Sequence, residues 1–123
     1  MLQMTFKVGE MLEFSWRQDR PVVVNERMFS AAVLARAALI AVAHTGQTIT
    51  YGGLSKAIDG LYHYQQLGRL LDVVSYDCFR RGEKRSLAAL VVLSTSTEPS
   101  YGFVHDDSVQ MADYQRLVQL DWQ

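Results

Sequence analysis

The 123-residue sequence predicts one α+β domain with a winged-helix-like core of three helices and a β-wing. Three observations predict it: apolar residues alternate near the N-terminus, recur at helical spacing in the central block, and then form a valine-rich run. We expect residues 1–26 to form an N-terminal β-hairpin extension, residues 27–105 the winged-helix-like core, and residues 106–123 a C-terminal helix. A chain of this length predicts one sizeable core and no second domain.

The N-terminal pattern is typical of short strands with one buried face. From Thr5 to Val24 the apolar residues fall mostly at even positions, and turn residues around Gly9 and Pro21 interrupt the run. Because proline cannot donate to a β-ladder, Pro21 must lie at an edge or at the start of its strand. A β-hairpin or a short meander accounts for this pattern best.

An alanine-rich stretch, Met28–His44, predicts the central buried helix of the core. Either Asn25 or Ser30 is suited to cap its start, because both side chains can accept a hydrogen bond from a backbone N–H in the first turn. Gly46 lies just past its end, where glycine tolerates the left-handed conformation that stops a helix.

Two more helices should follow. The first begins after Thr50, whose hydroxyl can cap it, and ends near Asp59. Two consecutive glycines in its first turn cost about 1 kcal/mol each relative to alanine, so we expect an irregular helix start. The second is amphipathic and runs from about Tyr64 to Arg81, because leucines, valines and Cys78 repeat there at three- and four-residue intervals.

The unbroken apolar run Leu87–Leu93 predicts a buried strand. Tyr101–Val104 should pair with it, which makes the loop Ser94–Ser100 the wing. Asp107 and Ser108 are expected to cap the terminal helix.

Composition limits the classes of partner. Twelve basic and thirteen acidic residues give a net charge of −1, so nucleic-acid binding would require a local basic patch. The single cysteine excludes an internal disulfide, and the sixteen-residue apolar stretch Met28–Ala43 contains Arg36. Together with an N-terminus that lacks the pattern of a secretory signal, these features predict a cytoplasmic protein with no membrane partner.

No residues have the spacing of a catalytic, metal or phosphate-binding site, so we expect no enzyme activity, cofactor, metal or small-molecule substrate. Cys78 is a candidate nucleophile because Arg80 and Arg81 are near it in sequence. Its position on the apolar stripe of the helix favours a buried structural cysteine instead. Asp106 and Asp107 are either a carboxylate pair or a helix cap, and their position before a helical pattern favours the cap.

Four short motifs between Thr48 and Phe103 carry a resemblance to known proteins. They are Ile49–Ser55 (ITYGGLS), Gln66–Leu71 (QLGRLL), Leu87–Val92 (LAALVV) and Pro99–Phe103 (PSYGF). In this order they resemble an uncharacterised bacterial and phage domain that occurs alone or joined to restriction-type nucleases. They are more distantly similar to the DNA-binding domain of the alkylguanine-DNA alkyltransferase and alkyltransferase-like families. The resemblance covers a little under half of the chain.

This resemblance implies a helix that opens at Thr50–Gly52 and contacts the DNA backbone, followed by a helix that enters the minor groove. In the alkyltransferase-like families the second helix carries an arginine that props the duplex open, and Gln65 occupies the implied position here. Ala88–Val91 replaces the reactive Pro-Cys-His-Arg motif, so alkyl transfer is not expected. Gly53 stands where the uncharacterised group carries an acidic residue that would complete a capping box with Thr50.

The turn Arg80–Arg85 has four positive charges against one negative. Residues 51–90 carry six basic and four acidic side chains, whereas residues 91–123 carry one basic and five acidic. Such a turn is either a solvated loop or a phosphate-binding patch. At the start of the third helix, the Tyr64 ring could stack on a base and the Gln65 amide could contact a base edge. The alternative is that the tyrosines of this region pack against the wing. The candidate nucleic-acid-binding residues are Tyr51, Lys56, Tyr64, Gln65, Arg69, Arg80, Arg81, Lys84 and Arg85.

The leading hypothesis from the sequence is a non-enzymatic, DNA-binding or DNA-associated module of phage or bacterial type, with double-stranded DNA as the partner. The alternative is a protein-interaction or inhibitor module that keeps the fold without binding DNA, which Gln65 and the near-zero net charge favour. A third is a detached piece of a restriction system that acts with a separate nuclease subunit. A homodimer through an edge strand or the terminal helix is also compatible with the sequence.

Overall fold

The computed structural model describes residues 4–16, 21–94 and 109–123. Within these residues four α-helices and two small sheets combine, so the α+β class is confirmed. In chain order the elements are β1 (Met11–Leu12), β2 (Val22–Val23), α1 (Glu26–His44), β3 (Ile49–Thr50), α2 (Tyr51–Ala57), a 3₁₀ helix (Tyr64–Gln66), α3 (Leu67–Arg80), a second 3₁₀ helix (Leu87–Leu90), β4 (Val91–Val92) and α4 (Met111–Asp121).

Helix α1 is the centre of the core, as the sequence predicts. Its N-cap is Asn25 rather than Ser30, and the Asn25 side chain accepts from the Met28 backbone N–H at 2.8 Å. Four of its alanines are fully buried, and their small side chains let neighbouring elements pack closely. Those neighbours are α2, α3, α4 and the 3₁₀ helix Leu87–Leu90.

By length and composition alone, α1 could cross a membrane. It spans 19 residues, three more than the apolar stretch seen in the sequence. Its packing against α2, α3 and α4, and the burial of Arg36 midway along it, are the surroundings of a core helix.

The predicted N-terminal hairpin is confirmed, with strands of only two residues. β1 and β2 pair antiparallel, with Met11 opposite Val23 and Leu12 opposite Val22. Leu12 and Val22 face the core, whereas Met11 and Val23 are exposed on the outer face. Pro21 directly precedes β2, where its missing N–H breaks no ladder hydrogen bond.

The prediction of a strand over Leu87–Leu93 is wrong for its first half, because Leu87–Leu90 forms a 3₁₀ helix and only β4 is extended. Periodicity does not distinguish helix from strand in a short, fully buried run. Here two side-chain hydrogen bonds favour the 3₁₀ helix over a strand. The Ser86 hydroxyl accepts from the Ala88 N–H at 3.1 Å, and the Gln115 amide donates to the Ala89 carbonyl at 2.9 Å.

Strand β4 pairs in parallel with β3, an arrangement that the sequence did not predict. The predicted partner Tyr101–Val104 and the predicted wing beyond Ser94 lie outside the described residues, as do Asp106, Asp107 and Ser108. The predicted cap of the terminal helix is wrong, because α4 begins at Met111 with Gln110 in the cap position.

Helix α2 starts regularly at Tyr51, so the irregular start expected from its two glycines is wrong. The Thr50 hydroxyl caps it by accepting from the Gly53 N–H at 3.0 Å. Helix α3 follows its predicted bounds closely, although the first turn is 3₁₀, and Gly82 beyond its end adopts a φ of 82°. The predicted apolar stripe of α3 is buried throughout: Leu67, Leu70, Leu71, Val74 and Cys78.

A buried ionic cluster connects α3 to the N-terminal segment. The Asp77 side chain is 1% exposed. Its carboxylate accepts from the Thr5 backbone N–H at 2.9 Å and from the Arg81 Nε at 2.8 Å.

Arg36 extends this cluster from α1. Its guanidinium donates to both carboxylate oxygens of Glu83, at 3.0 and 2.7 Å, and lies 3.7 Å from the Asp77 carboxylate. Burial lowers the pKa of Arg36, but the hydrogen bonds and charge of Glu83 outweigh it and raise the pKa above its ordinary value. Three parts of the chain that are distant in sequence therefore meet at two buried charges: the N-terminal segment, α1, and the end of α3 with the turn after it.

Replacing Asp77 with alanine should lower the free energy of unfolding by about 3–5 kcal/mol, because Arg36 would remain buried without one of its two acidic neighbours and the hydrogen bonds of the carboxylate to Thr5 and Arg81 would be lost. Urea denaturation followed by circular dichroism measures this. As a control, Glu13→Ala removes an exposed carboxylate and should change the free energy by less than about 0.5 kcal/mol. Equal effects of the two substitutions would show that the cluster does not stabilise the fold.

Candidate nucleic-acid interface

An open groove of about 650 Å³ lies where β3 and β4 end and where α2 and α3 begin. Because β3 and β4 are parallel, their carboxyl ends meet at the same edge, and the chain leaves both strands side by side. The groove is lined by Thr50, Tyr51 and Gly52 from the β3–α2 junction, Tyr64, Gln65 and Gly68 from the start of α3, and Leu93 and Ser94 after β4.

The groove brings together three residues that the sequence analysis singled out, namely Tyr51, Tyr64 and Gln65. Tyr64 is 48% exposed, and its ring lies against the His63 imidazole with the ring centroids 4.2 Å apart. His63 also accepts from the Gln65 backbone N–H at 3.3 Å. His63 therefore contacts the Tyr64 ring and caps the 3₁₀ turn that places Tyr64 and Gln65 at the groove.

Two glycines leave helix backbone uncovered along the groove. A Cβ atom added at Gly52 or at Gly68 would meet nothing within 4 Å. Neither residue has a positive φ. The backbone at both positions can therefore be approached closely by a ligand.

We call the positions of two cations the margin of the groove, because they neighbour lining residues along the chain, although neither cation is among the residues that line it. Lys56 is one helical turn beyond Gly52 on α2, and Arg69 directly follows Gly68 on α3. Both are exposed, and neither forms an ion pair with a residue that the structure describes. The described residues of the lining include no acidic side chain.

The basic turn lies at the other end of α3, which has 14 residues and is thus about 20 Å long. Its three arginines pair with carboxylates: Arg80 with Glu10 at 2.7 Å, Arg81 with Asp77 at 2.8 Å, and Arg85 with Asp121 of α4 at 3.0 Å. Lys84 is exposed and forms no ion pair within the described ranges. The nine candidate residues thus form two groups at opposite ends of α3.

The electrostatic effect of one of these pairs is visible in both partners. The hydrogen bond from Arg80 holds the pKa of Glu10 below its ordinary value, and the same bond raises the pKa of Arg80. Both groups are therefore charged at neutral pH, and each offsets the field of the other.

Cys78 is fully buried, as predicted for a structural cysteine. Burial raises the pKa of its thiol to about 12, so the reactive thiolate is scarce at neutral pH. Within the part of the chain that the structure describes, no three His, Cys, Asp or Glu side chains form a group that could hold a metal ion.

We expect native Cys78 to react with 5,5′-dithiobis(2-nitrobenzoate) more than about 100-fold more slowly than the unfolded chain at mildly alkaline pH, because the thiol is both buried and protonated. The release of thionitrobenzoate with and without denaturant measures the two rates. Similar rates in both conditions would instead mark Cys78 as an accessible, activated thiol.

No protein-family model, curated protein or solved structure matches this chain. The candidate site therefore depends on the geometry of the groove and the charges around it.

Proposed function

We propose that this chain is a non-enzymatic nucleic-acid-binding module with a winged-helix-like core, and that the groove at the starts of α2 and α3 is its contact surface. The observation that carries the proposal is the meeting of Tyr51, Tyr64 and Gln65 in one groove with two exposed cations at its margin. The order α1, α2, α3 and then a strand supports the winged-helix-like assignment.

The lining is suited to bases. An exposed tyrosine ring provides a flat surface on which a base can stack, and such stacking contributes about 1–3 kcal/mol per base. Tyr64 is the best placed ring, since it is half exposed and supported from behind by His63. The Gln65 amide adds two donors and one acceptor, which can pair with the polar edge of a base.

The margin is suited to phosphates, although only weakly. Lys56 and Arg69 together would neutralise about two phosphates, which gives a salt slope of roughly −1.5 to −2 on a double-logarithmic plot. We assign no phosphate contact to Arg80, Arg81 or Arg85, because an incoming phosphate would have to displace a carboxylate that then stays nearby.

Replacing Lys56 and Arg69 together with glutamine should weaken oligonucleotide binding about 10-fold at low salt and reduce the salt slope by about 1 per removed cation. Fluorescence anisotropy with labelled single- and double-stranded oligonucleotides of mixed sequence, titrated across NaCl concentration, measures both quantities.

The matched control is Lys7→Gln with Arg116→Gln. It removes the same net charge from exposed positions on the N-terminal segment and on α4, two elements that contribute no described residue to the groove lining. An equal loss of affinity in both double variants would indicate binding to net charge alone. Absence of binding by the wild-type protein would contradict the proposed function.

A second candidate is a protein-interaction module, and the hairpin favours it. The outer face of the hairpin exposes Val8, Met11 and Val23, at 48%, 58% and 57%. Exposed apolar side chains of this kind are what a protein partner would need. Phe79, 42% exposed, is a further apolar side chain, and its ring centroid lies 5.9 Å from that of Trp16. Phe14 is buried, and the Trp16 indole donates to Asp72 at 3.0 Å.

A further inference from the structure

We infer that the groove takes unpaired bases of a single strand in preference to an intact duplex, and that Gly52 and Gly68 let those bases lie directly against the helix backbone. The inference rests on the proposed function, because it names the form of nucleic acid that the same groove binds. Three observations carry the inference: Gly52 and Gly68 lie along the groove, the Tyr64 side chain is half exposed, and the described lining has no charged side chain.

At most of the described glycine positions, the fold itself requires glycine. Four adopt left-handed φ angles of 68° to 90°, which other residues rarely adopt: Gly9, Gly46, Gly60 and Gly82. Gly53 has a packing reason, since a Cβ atom there would lie 3.0 Å from the Ile49 Cγ1 atom. Within the described part of the chain, only Gly52 and Gly68 remain, with no conformational or packing requirement.

Both of the remaining glycines lie in helices and line the groove. Glycine is less favourable than alanine in a helix, so Gly52 and Gly68 reduce the stability of the fold without a structural return. A requirement for close approach of a ligand to the backbone explains both positions at once. The groove floor is thus kept flat at the places where a base would lie.

Stacking on Tyr64 requires the face of a base. In a duplex the faces are covered by neighbouring base pairs, whereas a single strand can turn its bases outward onto an aromatic ring. The volume of about 650 Å³ falls within the range of pockets that hold drug-sized ligands, which leaves room for a base with its sugar.

The charges around the groove also favour a single strand. A duplex presents two phosphate backbones, and proteins that bind it by shape contact many phosphates. Among the described residues, Lys56 and Arg69 are the cations at the margin of this groove, Asp72 is one helical turn beyond Gly68, and the lining has no charged side chain. Stacking and the amide of Gln65 must therefore supply most of the affinity, and stacking on Tyr64 requires an unpaired base.

The first experiment compares Gly52→Ala and Gly68→Ala with the wild type in two measurements. We expect each variant to unfold at a higher urea concentration and yet to bind single-stranded oligonucleotides about 10-fold more weakly, because the added methyl group occupies the floor of the groove. A glycine with only a structural role would not combine greater stability with weaker binding. Ser30→Ala, at an exposed position of α1, is the control and should raise stability without changing affinity.

The second experiment compares a mixed-sequence single strand, as DNA and as RNA, with the corresponding duplex. We expect tighter binding of at least one single strand, loss of about 10-fold in affinity for Tyr64→Ala, and retained affinity for Tyr64→Phe, because the ring rather than the hydroxyl makes the contact. The DNA and RNA arms identify which strand the groove prefers.

The outcomes separate the two proposals. Binding of the duplex as tight as that of either single strand would overturn this inference and leave the proposed function standing. Unchanged affinity in both alanine variants would overturn the assignment of Gly52 and Gly68. Binding of neither form of nucleic acid would overturn the proposed function itself.

Discussion

The buried guanidinium of Arg36, paired with Glu83 and 3.7 Å from Asp77, ties α1 to α3 and to the turn that follows α3. Charges removed from water must be compensated by several partners, and here the partners come from α1, α3, the N-terminal segment and the basic turn. Their meeting fixes how α3 lies against α1. The groove therefore forms at one end of α3, and the basic turn is drawn against the protein at the other. Arg81 and Glu83 both belong to that turn in the sequence, yet they bond inward.

This inward bonding explains why charge read from the sequence is a poor guide to charge available at the surface. The turn Arg80–Arg85 looks like a cationic patch because its residues are adjacent in the chain. Its carboxylate partners Glu10 and Asp121 come from distant segments, and no local sequence pattern indicates these pairings. Only the pair of Asp77 and Arg81, four residues apart on one helix face, could have been predicted from spacing.

The sequence predicted the elements whose conformation follows from local sequence pattern. The hairpin, α1, α2 and α3 follow from apolar periodicity and from caps such as Asn25 and Thr50. The 3₁₀ helix Leu87–Leu90 was missed because a fully buried run has no periodicity, and its conformation depends on Gln115 from α4. The β3–β4 pairing was missed because it joins residues about forty positions apart in the sequence.

The candidate site likewise contains residues that the sequence predicted and residues that it did not. Tyr64 and Gln65 were predicted, since they lie at the start of an evident helix, whereas Gly52 and Gly68 were not, because helix propensity counts glycine only as a loss. Glycine costs about 1 kcal/mol relative to alanine in a helix interior, and Gly52 and Gly68, each the second residue of its helix, incur part of that cost. Alanine would fit at both positions without crowding a described residue, so the described part of the fold gives no reason for either glycine. The proposed binding through stacking rather than through charge is compatible with a net charge of −1, since stacking does not depend on the overall field of the protein.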